Sequence, residues 1–334
     1  MPELRKDPVI GRWIIISTER GKRPTDFIIT KDETKNGFCP LCPGNENTTP
    51  PEVLSYGQHG YMPNRPGWDL RVVPNKYPAL IIEGDIGKQG DGLYDKMNGI
   101  GAHEVVIETP NHLESFTHIP PARMIKVFLA FRDRLVDLSH DPRFRYVMIF
   151  KNYGGAAGAS LEHSHSQLIA LPILPRMIVS ELDGSHSYYS YKERCIFCDI
   201  IRQEVNQDVR VVCQNDYFIC MTPWAPRSPF EMWVLPKEHS SSYVTQSDAS
   251  FKALSEIFSE SMLRLNKCIP NVPYNFVLHT APLRSPPLEH FHWHFEIMPK
   301  LTMIAGFEWG SGFYINPVPP EEAAKYLKDA EIQE

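Results

Sequence analysis

The stretch His163-Ser164-His165-Ser166-Gln167 lies in an apolar, strand-like run, and a second histidine pair of the same spacing, His292-Trp293-His294, lies in another such run. A lone histidine after a polar or proline turn precedes each pair. His112 stands 51 residues before the first pair, and His239 stands 53 residues before the second. Because the same order occurs twice, the chain is predicted to contain two copies of one structural unit.

Secondary-structure signals around these histidines repeat in the same way. Strand signals precede the lone histidines, at residues 104–107 and 230–235, and helix-like stretches with apolar residues at three- and four-residue steps follow at 121–138 and 249–266. We therefore predict an α+β fold made of two tandem repeats, each an antiparallel sheet with packed helices. The predicted domains are residues 1–178 and 179–334.

Composition excludes several classes of protein. The chain has 334 residues, of which 42% are hydrophobic and 22% charged, so it is expected to be globular. A net charge of -6 argues against binding of DNA or RNA through bulk positive charge. The most apolar stretch, residues 167–175, is too short to span a bilayer, and residues 1–10 do not resemble a signal peptide. We expect a cytoplasmic protein that binds neither nucleic acid nor a membrane.

Four of the seven cysteines form two C-x-x-C pairs. Each pair precedes the lone histidine and the H-x-H pair of one repeat unit. Such pairs indicate metal ligands, although a redox dithiol is the alternative. Two thiolates and two imidazoles complete a tetrahedral zinc shell. The first predicted zinc site is Cys39, Cys42, His112 and His163, and the second is Cys195, Cys198, His239 and His292.

The second half also contains a rival set of ligands. Carboxylate and imidazole groups favour a harder ion such as iron. That set is Glu181, His279, His292 and His294, with His290 as the weakest further candidate. A site filled by four protein ligands has no open position for substrate, so either metal is expected to be structural.

The first H-x-H pair follows a glycine- and alanine-rich segment, residues 152–161. Backbone amides in such a segment can form a nest for a phosphate group. On an extended strand, His163, His165 and Gln167 project from one face. We predict that His165 attacks phosphorus as a nucleophile, and that Gln167 and Ser160 bind the phosphate oxygens. The alternative is that His165 is a spare ligand or a histidine packed in the sheet.

At these residues the sequence resembles the histidine-triad superfamily, specifically its galactose-1-phosphate uridylyltransferase branch. The resemblance covers nearly the whole chain, and the H-x-H-x-Q motif within its glycine-rich lead is its most specific part. The other matching segments are residues 5–13, 20–24, 236–239, 306–310 and 314–317, together with the first C-x-x-C.

The resemblance implies a ping-pong reaction in which His165 takes UMP from UDP-glucose and passes it to galactose 1-phosphate. It also implies a homodimer, because Phe307 and Glu308 match a segment that completes the site across a dimer interface. The residues implied to contact the nucleotide sugar are Arg20, Arg23, Asn75, Asn152, Gly158, Ser160 and Gln167.

One position departs from the enterobacterial motif, which has proline between the two histidines. Here Ser164 stands there, as in relatives that act on ADP-glucose with phosphate as acceptor. The resemblance therefore leaves an ADP-glucose phosphorylase as a second hypothesis. A third hypothesis is a zinc-stabilised nucleotide-binding protein without turnover, which predicts that His165 is dispensable.

Overall fold

A computed structural model describes residues 1–17, 23–27, 29 and 37–332. The strands in chain order are β1 Glu3–Lys6, β2 Trp13–Ile16, β3 Leu54–Gly57, β4 Trp68–Pro74, β5 Gln89–Asp91, β6 Tyr94–Lys96, β7 Ala102–Ile107, β8 Tyr146–Tyr153, β9 His165–Leu171, β10 Val211–Gln214, β11 Phe218–Met221, β12 Met232–Pro236, β13 Tyr274–His279, β14 His294–Pro299 and β15 Tyr314–Asn316. The α-helices are α1 Pro121–Ser139, α2 Arg176–Lys192, α3 Ile196–Gln207, α4 Asp248–Cys268, α5 Gly306–Ser311 and α6 Pro320–Lys328.

Ten strands form one antiparallel sheet in the order β10-β11-β12-β14-β13-β8-β9-β7-β4-β3. The two middle strands, β13 and β8, pair with each other. Counted outward from this pair, the strands at the same position on the two sides are equivalent strands of the two repeats. The predicted α+β fold of two tandem repeats is thus confirmed, with the sheets of the two repeats joined edge to edge. The predicted boundary between residues 178 and 179 falls inside α2, and the division into two domains stays a prediction.

Helices α1 and α4 cover one face of this sheet. Apolar residues of α1 such as Val127 and Phe128 share a core with Leu168 and Ala170, which alternate along β9. Proline at its first position favours the start of α1, and the side chain of Ser247 caps α4 by accepting a hydrogen bond from the Ser250 amide. Both helices lie where the apolar periodicity predicts them. His165 and Gln167 alternate with the core residues, so they project from the opposite face.

The sheet face that α1 and α4 leave uncovered differs between the two repeats. In the second repeat α2 and α3 pack over it, and the Phe197 ring of α3 lies 5.1 Å from the ring of His294. His294, the equivalent of His165, is consequently 0% exposed, whereas His165 is 7% exposed. The covering helices thus close this face of the sheet in the second repeat.

The smaller elements complete the fold. Strands β1, β2 and β15 form a three-stranded sheet in which β15 runs parallel to β2, and β5 pairs with β6. Among the described residues, no helix is both long enough and apolar enough to cross a membrane.

Candidate active site and metal clusters

His165 is the first residue of β9, and one hydrogen bond fixes its ring. Its Nδ1 lies 2.8 Å from the carbonyl oxygen of His163, so Nδ1 carries the hydrogen and donates it. The Nε2 atom then keeps its lone pair. Burial, with a smaller contribution from the nearby Lys151 cation, lowers the pKa of His165. The site therefore presents a neutral imidazole with one nucleophilic nitrogen.

The glycine-rich loop before β9 is held in a tight conformation. Gly154 and Gly158 have φ angles of 80° and 85°, a region that residues with a side chain rarely adopt. Asn275 of the second repeat clamps the loop by donating to the Asn152 side chain at 2.7 Å and to the Ala157 carbonyl at 2.9 Å. The second repeat thus positions the candidate phosphate-binding loop.

Three amides of this loop are already bonded and do not contribute to the open nest that its composition suggests. The N–H groups of Ala157, Gly158 and Ala159 donate to carbonyls within the loop itself, at 2.9–3.2 Å. Side chains are therefore the more available donors beside His165. Asn152 and Gln167 are half-buried, whereas Ser160 is exposed.

A buried ion pair lies directly behind His165, on the helix-covered face. The Lys151 ammonium donates to Glu108 at 2.7 Å and to the carbonyl of His165 at 2.8 Å. Ser164 donates to the same carboxylate at 2.5 Å, and Ser166 donates to its other oxygen. Both serines of the His-Ser-His-Ser-Gln motif thus anchor the strand, a contact that a proline in place of Ser164 would remove.

The first predicted zinc cluster is assembled. The Nδ1 atom of His163 lies 3.7 Å from the sulfur of Cys39 and 3.5 Å from the sulfur of Cys42. The Cys42 sulfur also lies 3.4 Å from Nδ1 of His112. A tetrahedral zinc ion with ordinary bond lengths separates sulfur and nitrogen ligands by about 3.5 Å. The four residues therefore fit zinc without rearrangement.

Contacts beyond the ligands hold His163 in its binding form. Its Nε2 donates to the carbonyl of Thr109 at 2.7 Å, which leaves Nδ1 free for a metal. Burial lowers the pKa of His163 to about 4, so the ring is neutral at pH 7. Because β9 begins at His165, His163 precedes the strand and turns towards the cysteines, instead of sharing one strand face with His165 and Gln167 as predicted.

The second cluster repeats this arrangement with Cys195, Cys198, His239 and His292. The Cys198 sulfur lies 3.4 Å from Nδ1 of His239 and 3.7 Å from Nδ1 of His292. Nε2 of His292 donates to the Pro236 carbonyl at 2.8 Å, as Nε2 of His163 does to Thr109. Both clusters could bind a metal ion through four protein ligands, and neither leaves a position for substrate.

A third group of possible ligands is buried beside the second cluster, and its membership corrects the rival set. Glu181, His279, His294 and Glu296 offer atoms that lie within 4.8 Å of one another. The prediction of His292 as a member was wrong. Strand β14 begins at His294, so His292 precedes it and faces the cysteines, whereas Glu296 shares the strand face of His294.

The third group fits a harder cation such as iron by its donor set. Nε2 of His294 is buried without a hydrogen-bond partner among the described residues, and a metal ion would satisfy it. Glu181 accepts from Nδ1 of His279 at 2.8 Å, and Arg227 donates to Glu296 at 2.6 Å. These contacts offset part of the buried negative charge.

The other residues that the resemblance implies for the site lie in different parts of the structure. Asn75 contacts the His103 ring beside Gln167, but Arg23 is exposed at the start of a short 3₁₀ helix, and Arg20 lies outside the described residues. Phe307 and Glu308 lie on α5, which packs against β15 in the small sheet. Phe307 is 49% exposed.

Comparison with known proteins identifies the family. A model described as "Galactose-1-phosphate uridyl transferase, N-terminal domain" matches residues 1–175, and a domain of unknown function (DUF4921) matches residues 120–331. The chain belongs to the galactose-1-phosphate uridylyltransferase family. It is therefore a nucleotidyltransferase of that family, as the H-x-H-x-Q motif predicts.

Relatives within the family carry two different activities. An ADP-glucose phosphorylase from Arabidopsis thaliana is 36% identical over 99% of this chain and 93% of its own length. A galactose-1-phosphate uridylyltransferase from Thermotoga maritima is 30% identical over the full length of both chains. The crystal structure of the Arabidopsis enzyme with bound ADP-glucose covers 99% of this chain and 100% of its own, with a TM-score of 0.85 and 34% identity.

Proposed function

We propose that this protein transfers UMP from UDP-glucose to galactose 1-phosphate through a covalent intermediate on His165. The observation that carries the proposal is the ring geometry of His165, whose Nδ1 is bound to a carbonyl while Nε2 remains a nucleophile. The matching family model and the full-length bacterial relative support the uridine nucleotide.

In the first step Nε2 of His165 attacks the α-phosphorus, and the bond from that phosphorus to the bridging oxygen breaks. Glucose 1-phosphate leaves with the bond's electron pair. The positive charge on the imidazole is stabilised by the Nδ1–H bond to the His163 carbonyl. A phosphate oxygen of galactose 1-phosphate then attacks the same phosphorus, and neutral His165 leaves, which regenerates the enzyme.

The remaining predicted residues are assigned to binding. Gln167 and Ser160 would donate to the non-bridging oxygens as charge moves onto them. Gly158 gives the nucleotide close access to the loop, and arginine suits phosphate because its planar fork binds oxygen atoms in pairs. In a homodimer, Phe307 and Glu308 would complete the sugar site. The other residues proposed to contact the nucleotide sugar are Arg20, Arg23, Asn75 and Asn152.

A second candidate is phosphorolysis of ADP-glucose by the same chemistry, with AMP on His165 and phosphate as acceptor. Two observations favour it. The Arabidopsis ADP-glucose phosphorylase matches nearly the whole chain at 36% identity. Ser164, which such relatives share, is built into the network behind His165 through its bond to Glu108.

Single-turnover labelling tests both candidates. The enzyme is mixed, without acceptor, with UDP-glucose or ADP-glucose that is radiolabelled at the α-phosphorus. Acid-labile label from UDP-glucose, with release of glucose 1-phosphate, is the expected result. Label from ADP-glucose alone would transfer the assignment to the phosphorylase, and label from neither would contradict covalent transfer by His165.

We further propose that the two cysteine–histidine clusters hold zinc and that the Glu181 cluster takes a harder ion such as iron. Zinc in the first cluster would fix the chain immediately before His165, because His163 is one of its ligands. The metals would therefore stabilise the site without contacting substrate.

Metal analysis of Cys198→Ser checks the second cluster. The variant is expected to retain about one zinc ion per chain instead of about two after dialysis against a weak chelator, since serine binds zinc poorly. Cys213→Ser is the matched control, because Cys213 is half-buried and its sulfur contacts the Ser261 hydroxyl. Equal zinc in the two variants would contradict the assignment.

A further inference from the structure

His103 stands beside Gln167 on the open face of the sheet. Strands β7 and β9 pair so that Val105 lies opposite Gln167 and His103 lies opposite Ile169. His103 is therefore the diagonal neighbour of Gln167 on the face that carries His165. The Nε2 atom of His103 lies 2.9 Å from Oε1 of Gln167.

A backbone amide decides which ring nitrogen of His103 carries the hydrogen. The N–H of Ala79 donates to Nδ1 of His103 at 3.1 Å, so Nδ1 is an acceptor. A neutral imidazole has a single N–H, which must then be on Nε2. That hydrogen is donated to Oε1 of Gln167.

Asn75 does not compete for this bond. Its Nδ2 atom lies 3.2 Å from Nε2 of His103, but both atoms are donors. Its Oδ1 accepts from the amide of Tyr77 at 2.9 Å, which fixes the orientation of the side chain. The acceptor left for Nε2 of His103 is the Gln167 carbonyl oxygen.

We propose that His103 is a positioning residue that sets the orientation of the Gln167 amide. A glutamine amide has nearly the same shape when it is flipped, and only its hydrogen bonds decide which end faces a ligand. With Oε1 held by His103, both N–H groups of Gln167 remain for the phosphate oxygens. A flipped amide would present its carbonyl oxygen to an anionic phosphate, which it would repel.

This inference rests on the proposed transfer to His165, where Gln167 donates to the phosphoryl group in the transition state. It assigns a role in that reaction to a residue that neither the motif nor the resemblance includes. The substrate class that such a donor pair recognises is a phosphate diester or anhydride with two non-bridging oxygens.

Nitrogen NMR of the histidine rings tests the geometry without any turnover. The ring signals of His103 are assigned by their loss in His103→Phe, and they should show a protonated Nε2 and an unprotonated Nδ1. Replacement of Gln167 by alanine should shift the Nε2–H resonance. A hydrogen on Nδ1 of His103 would overturn the inference whatever the enzyme's reaction.

Single-turnover kinetics test the role. Loss of one donor to a developing charge typically costs about 100-fold in rate, and we expect at least this loss for Gln167→Ala, which removes both N–H groups. His103→Phe removes the ring N–H and should slow labelling of His165 by about 10- to 100-fold with nucleotide-sugar affinity changed less than about threefold. His103→Gln places an amide donor near the Nε2 position and should recover most of the rate.

The double variant separates positioning from a general structural effect. If His103 acts through Gln167, His103→Phe should add almost nothing to Gln167→Ala. If the rate losses of the two single variants multiplied in the double variant, or if His103→Phe had a normal rate, the proposal would be overturned. His140→Phe is the control, since His140 is exposed at the end of α1 and bonded to Asp137. Absence of label in the wild type would instead reject the proposed function, and the NMR result would still decide the His103–Gln167 bond.

Discussion

Replacement of His165 by alanine is expected to abolish covalent labelling and to lower turnover by about 10⁴-fold or more, as for other enzymes that lose their nucleophile. The reason is chemical, because the substitution removes the Nε2 lone pair that is proposed to form the bond to phosphorus. The measurement combines single-turnover labelling with steady-state transfer to the acceptor, in the same preparation.

The alanine variant should still fold and bind zinc. The His165 ring makes its hydrogen bond through Nδ1 to a backbone carbonyl, whereas His163, the proposed zinc ligand two residues earlier, is unchanged. Zinc content and melting temperature should therefore match those of the control His140→Ala. Full transferase activity in His165→Ala would contradict both enzymatic proposals and leave the zinc-stabilised binding protein.

The repeat pattern predicted the fold because a C-x-x-C pair, a lone histidine and an H-x-H pair recur in the same order in both halves of the chain. Both C-x-x-C pairs meet their histidines across more than 40 residues of chain, for example Cys198 and His239. Sequence reasoning placed His292 in the third cluster, where the structure has Glu296 instead. That choice depends on the residue at which β14 begins, and strand boundaries are the least predictable feature of a sequence.

Sequence reasoning missed Glu108 and Lys151. They are 43 residues apart and come from opposite sides of β9, since β8 and β7 are its two neighbours in the sheet. Their meeting point therefore depends on the strand order. A signal did exist: Lys151 follows the apolar run 147–150, and a charged residue in such a run is buried only when it has a partner. His103 offered no comparable signal, because its role depends on an amide donor from residue 79.

The second large effect is expected from breaking the ion pair behind His165. Lys151→Met leaves the Glu108 carboxylate buried without its cation, which should lower the free energy of unfolding by about 3–5 kcal/mol. The side chains of Lys151 and Glu108 are 1% and 0% exposed. Urea unfolding in saturating zinc measures the change.

A matched control separates burial from charge. Lys126 donates to Asp69 at the same 2.7 Å, but these side chains are 37% and 25% exposed. Lys126→Met should therefore cost less than about 1 kcal/mol, the usual value for an ion pair at the surface. Both substitutions delete an ammonium that lies 2.7 Å from a carboxylate, so the difference between them measures the cost of removing the buried cation, including its bond to the His165 carbonyl.

Neutralising Glu108 should restore most of the free energy of unfolding that Lys151→Met loses. In the double variant Lys151→Met, Glu108→Gln, no charge remains in the buried site, and the glutamine oxygen can still accept from Ser164. We expect the double variant to be more stable than Lys151→Met alone. Burial lowers the pKa of Lys151 while Glu108 opposes that shift. If Lys151→Met alone cost no more than Lys126→Met, the pair would have to be neutral in the folded protein, and the strand that carries His165 would be held by hydrogen bonds without an ion pair.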